Sequence, residues 1–310
     1  MNITISIIIA TYNRPELILE TLESISNQTF KDYECIIVDD CLENNKTEFV
    51  IKSFSKHDSR FNYYRRNTRF RKGLPGCRNC GIELSKGDFI LFFDDDDIMH
   101  PQNLELSLCA IKNSEKSFCR FQRDVFFGQF SKTIKKQKPG NLIDITRNDF
   151  YNILTNKLPF NSCQILWKKQ CFENYRFNEQ LMYAEEWECY LKIILAGFEG
   201  VNIENTLMYA RKHSKSNTGE YFDGSSTRLD SHAEAIESLL RFMRNTDSLS
   251  FRVKKYLFNE YLRLKGHLIF VKLLSTIVGP LESRFWQTYA RLIPFRMKLY
   301  QMRKSFKTTS

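Results

Sequence analysis

Phe89-Ile90-Leu91-Phe92-Phe93-Asp94-Asp95-Asp96-Asp97 is the stretch that decides the fold. Five consecutive apolar residues, bounded by Gly87-Asp88, are too few for a helix of ordinary length. They read as a strand buried on both faces, as in a parallel sheet. The strand runs out into four carboxylates. In extended chain, side chains two apart point the same way, which predicts Asp94 and Asp96 on one side. Like charges so placed must take up a proton or find a cation. Hard oxygen donors with open positions suit Mg²⁺ or Mn²⁺ shared with a phosphate. An aspartate run alone is most often a solvated loop. The buried strand before it, and Pro101 opening a helix after it, argue for a site.

Working outward, Ile3–Ala10 is another continuous apolar run, and so a second central strand. It breaks at Thr11-Tyr12-Asn13-Arg14-Pro15, where Pro15 suits a first helical position and Ile18, Leu22 and Ile25 follow at helical spacing. Cys35–Val38 is a third strand, ending in Asp39-Asp40. Glu43–Ser55 predicts a helix, Phe61–Arg65 a strand, and Gly73–Gly76 a turn into a helix over Cys77–Ser85. This alternation implies an α/β fold with a mostly parallel sheet flanked by helices. Ligands on such sheets bind beyond the carboxyl ends of the strands, where Thr11-Tyr12, Asp39-Asp40 and Asp94–Asp97 stand. No G-x-G-x-x-G follows the first strand and no G-x-x-x-x-G-K occurs, so neither glycine-rich phosphate loop is signalled.

Beyond Pro101 the pattern changes. Phe118–Phe127 predicts a half-alternating strand, Lys132–Gly140 a basic mobile loop, Leu142–Leu154 a helix and Gln164–Trp167 a short strand. A helix over Glu185–Ala196 opens on Glu185-Glu186, where the helix dipole favours acid. Met208–Ser214 closes a last strand, followed by a polar loop to about Ser226. The expected division is a sheet domain over 1–228, in two parts (1–115 and 116–228). A helical basic extension over 229–310 follows.

Of 310 residues, 42% are hydrophobic and 14% aromatic, which fits a packed globular protein. The net charge of +10 is uneven: from Phe251 onward 13 Lys and Arg face two acids, leaving −1 for the first 250 residues. That asymmetry, with no recognisable module beside it, argues against a nucleic-acid binder. In the tail, Trp286, Tyr289, Leu292, Phe295, Leu299 and Tyr300 mingle with Arg284, Arg291, Arg296, Lys298, Arg303 and Lys304. Such a segment fits either an in-plane anchor on anionic lipid or helices packed on the domain with a solvated basic face. No stretch reaches the roughly 18 apolar residues of a spanning helix, and the start lacks the basic region of a secretory signal. The nine cysteines have no zinc spacing and read as free thiols. The expected location is cytoplasmic, peripheral on the inner face of the cell membrane.

Six segments in order carry a resemblance: Ser6–Arg14, Ile36–Asp40, Gly76–Ile82, Phe92–Asp97, Ala184–Glu188 and Tyr209–His213. Together they resemble family 2 of the nucleotide-sugar glycosyltransferases, with the GT-A fold, over about residues 1–220. The resemblance implies an inverting transferase that uses a nucleoside-diphosphate sugar, usually a UDP-sugar, with Mn²⁺ or Mg²⁺. It implies that Thr11, Tyr12, Arg14, Asp39, Asp40, Arg78, Asp94 and Asp95 bind the nucleotide, with Tyr12 against the base and Asp40 accepting from it. Asp96, Asp94 and His213 would hold the metal. The family's base is the second acid of a Glu-Asp pair. Here the pair is Glu185-Glu186, which points to Glu186, although either acid could serve. With the basic tail, the expected acceptor is a lipid-linked oligosaccharide of a bacterial surface polysaccharide. A soluble sugar or protein acceptor, or a non-catalytic sugar-nucleotide binder, are the other readings.

Overall fold

In the computed structural model, which describes residues 3–41, 46–213, 217–244, 246–264 and 267–292, the apolar runs become β1 (Ile5–Thr11), β2 (Tyr33–Asp39), β3 (Phe61–Arg65) and β4 (Phe89–Asp94). They alternate with α1 (Pro15–Ser26), α2 (Lys46–Ser55) and α3 (Leu74–Leu84). Glu43, the expected start of α2, lies outside the described residues. The four strands are parallel, in the order β3-β2-β1-β4. The chain order reverses between β1 and β4, so a crevice opens beyond their carboxyl ends. Ala10 pairs with Asp94, and Thr11 with Asp39, at that edge.

The sheet continues through β5 (Ile98–Met99), β6 (Phe118–Phe127), β7 (Leu142–Ile145), β8 (Ile165–Lys168) and β9 (Gly200–Lys212), giving nine strands among the described residues. β8 joins β4 antiparallel, and β6, β9 and β5 follow. The fold is thus the expected mixed sheet, parallel over β3-β2-β1-β4. α4 (Asn103–Ser114), α5 (Phe150–Leu154) and α6 (Glu185–Leu195) cover it.

Two expectations need correction. Leu142–Leu154 is not one helix. Leu142–Ile145 pairs with β9, a 3₁₀ turn over Arg147–Asp149 follows, and only Phe150–Leu154 is α-helical. A capping box, Thr146 with Asp149, starts a new element where one continuous helix was expected. The polar stretch before Ser226 contains a short helix, α7 (Asn217–Phe222). The segment 132–140, without helix or strand, is laced to its surroundings: Gln137 bonds Gln102 and Thr206, and the Gly140 N–H donates to Asn205.

One core lies between α1 and the sheet, with Ile5, Ile7, Ile9, Ile18, Leu22, Ile25, Leu91 and Phe93. On the other face, rings of Phe92, Trp167, Phe172, Phe177 and Tyr190 pack edge-on or tilted, with Phe172 and Phe177 stacked on each other. Packing of this kind adds to area burial. The first compact unit ends at Ser231 and the second begins at His232. The second comprises most of α8 (Ser226–Met243), then α9 (Phe251–Leu264), α10 (His267–Ser275) and a helical stretch over 280–292. Within it Phe258, Tyr261, Phe270 and Trp286 form a buried aromatic cluster. No helix among the described residues is long and apolar enough to cross a membrane. Phe295, Leu299, Tyr300 and the basic residues from Arg296 onward lie outside the described residues.

Candidate functional site

The four aspartates after β4 take four different environments. The strand ends at Asp94 and the chain turns at Asp95 and Asp96, so the alternation expected to align Asp94 with Asp96 stops there. Asp94 opens into the crevice, its side chain 44% exposed. The protein around it still withdraws water, and Asp96 and Glu186 add repulsion against the pull of Arg78, so its pKa is raised. Asp95 is buried and accepts from Thr11 Oγ1 at 2.7 Å and from Arg14 Nη1 at 2.9 Å. Burial first, then Asp96, push it up to about 6 despite Arg14. Asp96 Oδ2 meets both Arg14 Nη1 and His213 Nε2 at 2.9 Å. Asp97 accepts from the Arg211 N–H at 2.8 Å, while its carbonyl accepts from Thr21. Arg211, on β9, also donates to the Asp96 carbonyl at 2.9 Å. It therefore ties the turn to the strand end that presents His213.

Beyond the end of β1, Tyr12 is 53% exposed, with the Lys72 ammonium 5.2 Å from its ring centre. Asp39 accepts from the Cys41 N–H and the Tyr63 hydroxyl. Asp40, expected to accept from a base, already accepts from Arg66 Nε at 2.5 Å and the Gly73 N–H at 2.9 Å. A base N–H would have to take a remaining lone pair. Arg66 was missed because nothing in its sequence neighbourhood marks a partner 26 residues away.

Arg78 is the buried hub. Two glycines let α3 carry it inward. A Cβ on Gly76 would lie 1.9 Å from the Arg71 carbonyl oxygen, and one on Gly81 2.3 Å from Ile8. The Arg78 guanidinium sits over Phe177, 5.4 Å from the ring centre. Its Nη1 lies 3.1 Å from Glu185 and 3.3 Å from Glu186, and its Nη2 lies 2.9 Å from Ser162 and 3.4 Å from Asp94. It was expected at the nucleotide; it reaches the acid pair and the first aspartate together. The two glutamates also bond each other and their pKa values diverge. Burial, then the charge of Glu186, raises Glu185 well above the usual range. For Glu186 burial works upward, but Arg78 and the bond from Glu185 outweigh it, and its pKa is lowered. Burial therefore favours the proton on Glu185, and Arg78 favours the charge on Glu186.

The acids fit a hard divalent cation. Carboxylate oxygens and an imidazole nitrogen are donors such an ion takes, and a cation held by Asp96 Oδ2 and His213 Nε2 would replace the 2.9 Å hydrogen bond that now joins them. Asp94, Asp97 and Cys163 offer a second group within 4.8 Å of one another. Burial, then Asp94 and Asp97, push the Cys163 thiol well up, so it stands there as a neutral neighbour. Asp97 and Cys163 were not singled out in the sequence, because their approach depends on the turn at Asp95-Asp96 and on the packing of residues 162–164.

The family model described as Glycosyl transferase family 2 matches residues 6–178. A GalNAc(5)-diNAcBac-PP-undecaprenol beta-1,3-glucosyltransferase from Campylobacter jejuni is 31% identical over 185 residues, 59% of this chain. The match spans 57% of that relative's length. Among solved structures, Staphylococcus aureus TarS 1–349 in complex with UDP-GlcNAc superposes with a TM-score of 0.66 at 18% identity, covering 91% of this chain and 78% of that one. A mannosyltransferase from Pyrobaculum calidifontis in complex with GDP-Man and Mn²⁺ gives 0.57 at 14% identity, covering 94% and 82%.

Proposed function

The chain belongs to glycosyl transferase family 2, and from that premise we propose that it is an inverting enzyme moving a hexose or N-acetylhexosamine from a UDP-sugar to an acceptor hydroxyl. The observation that carries the reading is the acid pair gathered on one buried guanidinium. Arg78 lies 3.1 Å from Glu185 and 3.3 Å from Glu186, and the same guanidinium reaches Asp94, 3.4 Å away. Glu186 takes the proton of the acceptor hydroxyl as that oxygen bonds to the anomeric carbon. The bond from that carbon to the diphosphate oxygen breaks on the opposite face, and the nucleoside diphosphate leaves. Thr11, Tyr12, Arg14, Asp39, Asp40, Arg78, Asp94 and Asp95 surround the nucleotide in this reading. Asp94, Asp96 and His213 would hold Mn²⁺ or Mg²⁺, which supplies offsetting charge for the departing diphosphate. The UDP-GlcNAc and Mn²⁺ present in the two structural neighbours support this choice of donor and cation.

The acceptor we favour is a lipid-linked oligosaccharide in bacterial surface-polysaccharide synthesis, as the undecaprenol substrate in the Campylobacter relative's name supports. In the helical unit, exposed Phe251, Leu281, Phe285 and Leu292 stand among exposed Arg252, Lys255, Arg284 and Arg291. This mixture suits peripheral attachment to an anionic membrane surface. The test is release of UDP from a panel of UDP-sugars with Mn²⁺ or Mg²⁺, with and without sugar diphosphates bearing an alkyl chain. Cation-dependent UDP release that the lipid-like acceptor accelerates is the expected result. Absence of release from every donor would remove the reading.

A further inference from the structure

We propose that Phe222, propped on the stacked pair of half-buried Tyr183 and buried Tyr221, forms an aromatic shelf on which a pyranose ring of the acceptor stacks beside the Glu185-Glu186 pair. The inference rests on the transferase reading above and names where its acceptor lies.

The shelf is built from the segment that delivers the acid pair. Tyr183 stands three residues before Glu186, and Ala184, in the left-handed region at φ 64°, turns the chain into α6. Ser231 pins this segment, accepting from the N–H groups of Met182 and Tyr183 at 2.8 and 2.9 Å and donating to the Tyr183 carbonyl at 2.8 Å. Arg228 donates to the Met182 carbonyl and to Glu220, fastening α7 to the same place. Met182 Sδ lies 3.6 Å from where a Cβ on Gly73 would sit, and the Gly73 N–H holds Asp40. The segment therefore runs from the nucleoside wall to the acid pair.

Tyr221, from α7, stacks almost parallel on Tyr183, with centroids 4.3 Å apart and planes at 11°. Phe222 stands edge-on to Tyr221 at 5.4 Å and is 76% exposed. A single exposed apolar side chain is ordinary. This one continues a stacked pair whose other end runs directly into the base. Glu220 and Asp223, which flank the two rings in sequence, are both exposed, Glu220 in an ion pair with Arg228. An apolar ring face rimmed by hydrogen-bonding carboxylates matches a pyranose, which has C–H groups on its face and hydroxyls at its edge. The same acids oppose an anionic bilayer, so the shelf differs in kind from the basic face of the helical unit.

The test compares wild type with Phe222→Ala and Phe222→Trp, using N-acetylglucosamine α-diphosphate bearing a short alkyl chain as acceptor and the UDP-sugar that wild type turns over as donor. Phe222→Ala should raise the acceptor KM about tenfold while the donor KM moves less than twofold. Phe222→Trp should restore the acceptor KM, since it returns a ring. Phe49→Ala, another exposed aromatic on α2, should change neither constant. An unchanged acceptor KM in Phe222→Ala, or an equal rise in the donor KM, would overturn the shelf and leave the transferase reading intact. No UDP release by wild type from any donor would instead remove the transferase reading, and the shelf with it.

Discussion

Arg78 Nη1, on α3, lies 3.3 Å from Glu186 Oε2, on α6, across 108 positions of sequence. The contact puts a permanent cation between the acid pair and Asp94; Arg78 Nη1 lies nearer still to Glu185, at 3.1 Å, so the deeper burial of Glu185 is what makes the two acids differ. A proton acceptor is useful only while it is ionised. Among the groups around the crevice, Glu186 is a carboxylate whose pKa is pulled down rather than pushed up.

Glu186→Gln should therefore lower kcat about 10³-fold, with the donor KM little changed. Glu185→Gln, a neutral isostere of the acid on which burial favours the proton, should cost about tenfold. Equal losses in the two variants, read from initial rates at saturating donor, would mean that the pair does not divide its roles as stated. In Arg78→Lys, which keeps the charge but loses the fork, the acid limb of the kcat–pH profile should move to higher pH. Less stabilisation of ionised Glu186 produces that direction.

Removing the Arg78 charge altogether should also unfold part of the margin of stability. Three carboxylates, Glu185, Glu186 and Asp94, face this one buried guanidinium. With Asp94 half-exposed and the proton favoured on Glu185, stranding the charge on Glu186 costs about 3 kcal/mol, the low end for a buried pair. Urea unfolding of Arg78→Met at pH 7.5 should show that loss, and the loss should shrink at pH 5 as the stranded acids take up protons.

The opposite sign is expected at Asp95. Its pKa rises from the usual 3.8 to about 6, because burial, and then Asp96, disfavours the charge more than Arg14 favours it. Above pH 6 the folded state carries the full cost. As the pH falls from 6 to 3.8, the folded form protonates first and the cost disappears. Asp95→Asn should thus stabilise the cation-free protein by up to about 3 kcal/mol at pH 7.5. The gain should fade by pH 4 in thermal unfolding measured with a chelator present. A gain that does not depend on pH would point to packing instead of charge.

The basic unit makes a separate prediction. Replacing Leu281 and Phe285, both exposed on the 280–292 helix, with Glu should abolish flotation with vesicles containing anionic lipid. UDP release in detergent should remain. Flotation equal to wild type would refute membrane attachment through this face.

Much of the fold was legible because β1, β2 and β4 are buried on both faces and spell themselves as unbroken apolar runs. β7 was not legible, since Leu142 and Ile143 are exposed and only their pairing with β9 makes them a strand. The site's residue types could be read from short segments, but their partners could not. Arg66 on Asp40, Ser162 on Arg78, and the turn that separates Asp94 from Asp96 all follow from tertiary packing. Alternation along a strand was the right rule for residues 89–94, and it lapsed where the hydrogen-bonded ladder ended.

The most direct test of the central claim is an anomalous difference map from crystals soaked with Mn²⁺ and UDP. The account predicts a manganese peak within bonding distance of Asp96 and His213, facing Asp94, with the diphosphate against it and Tyr12 on the base. A peak elsewhere, with Arg14 and His213 still closed on Asp96 and UDP bound outside the crevice, would contradict it.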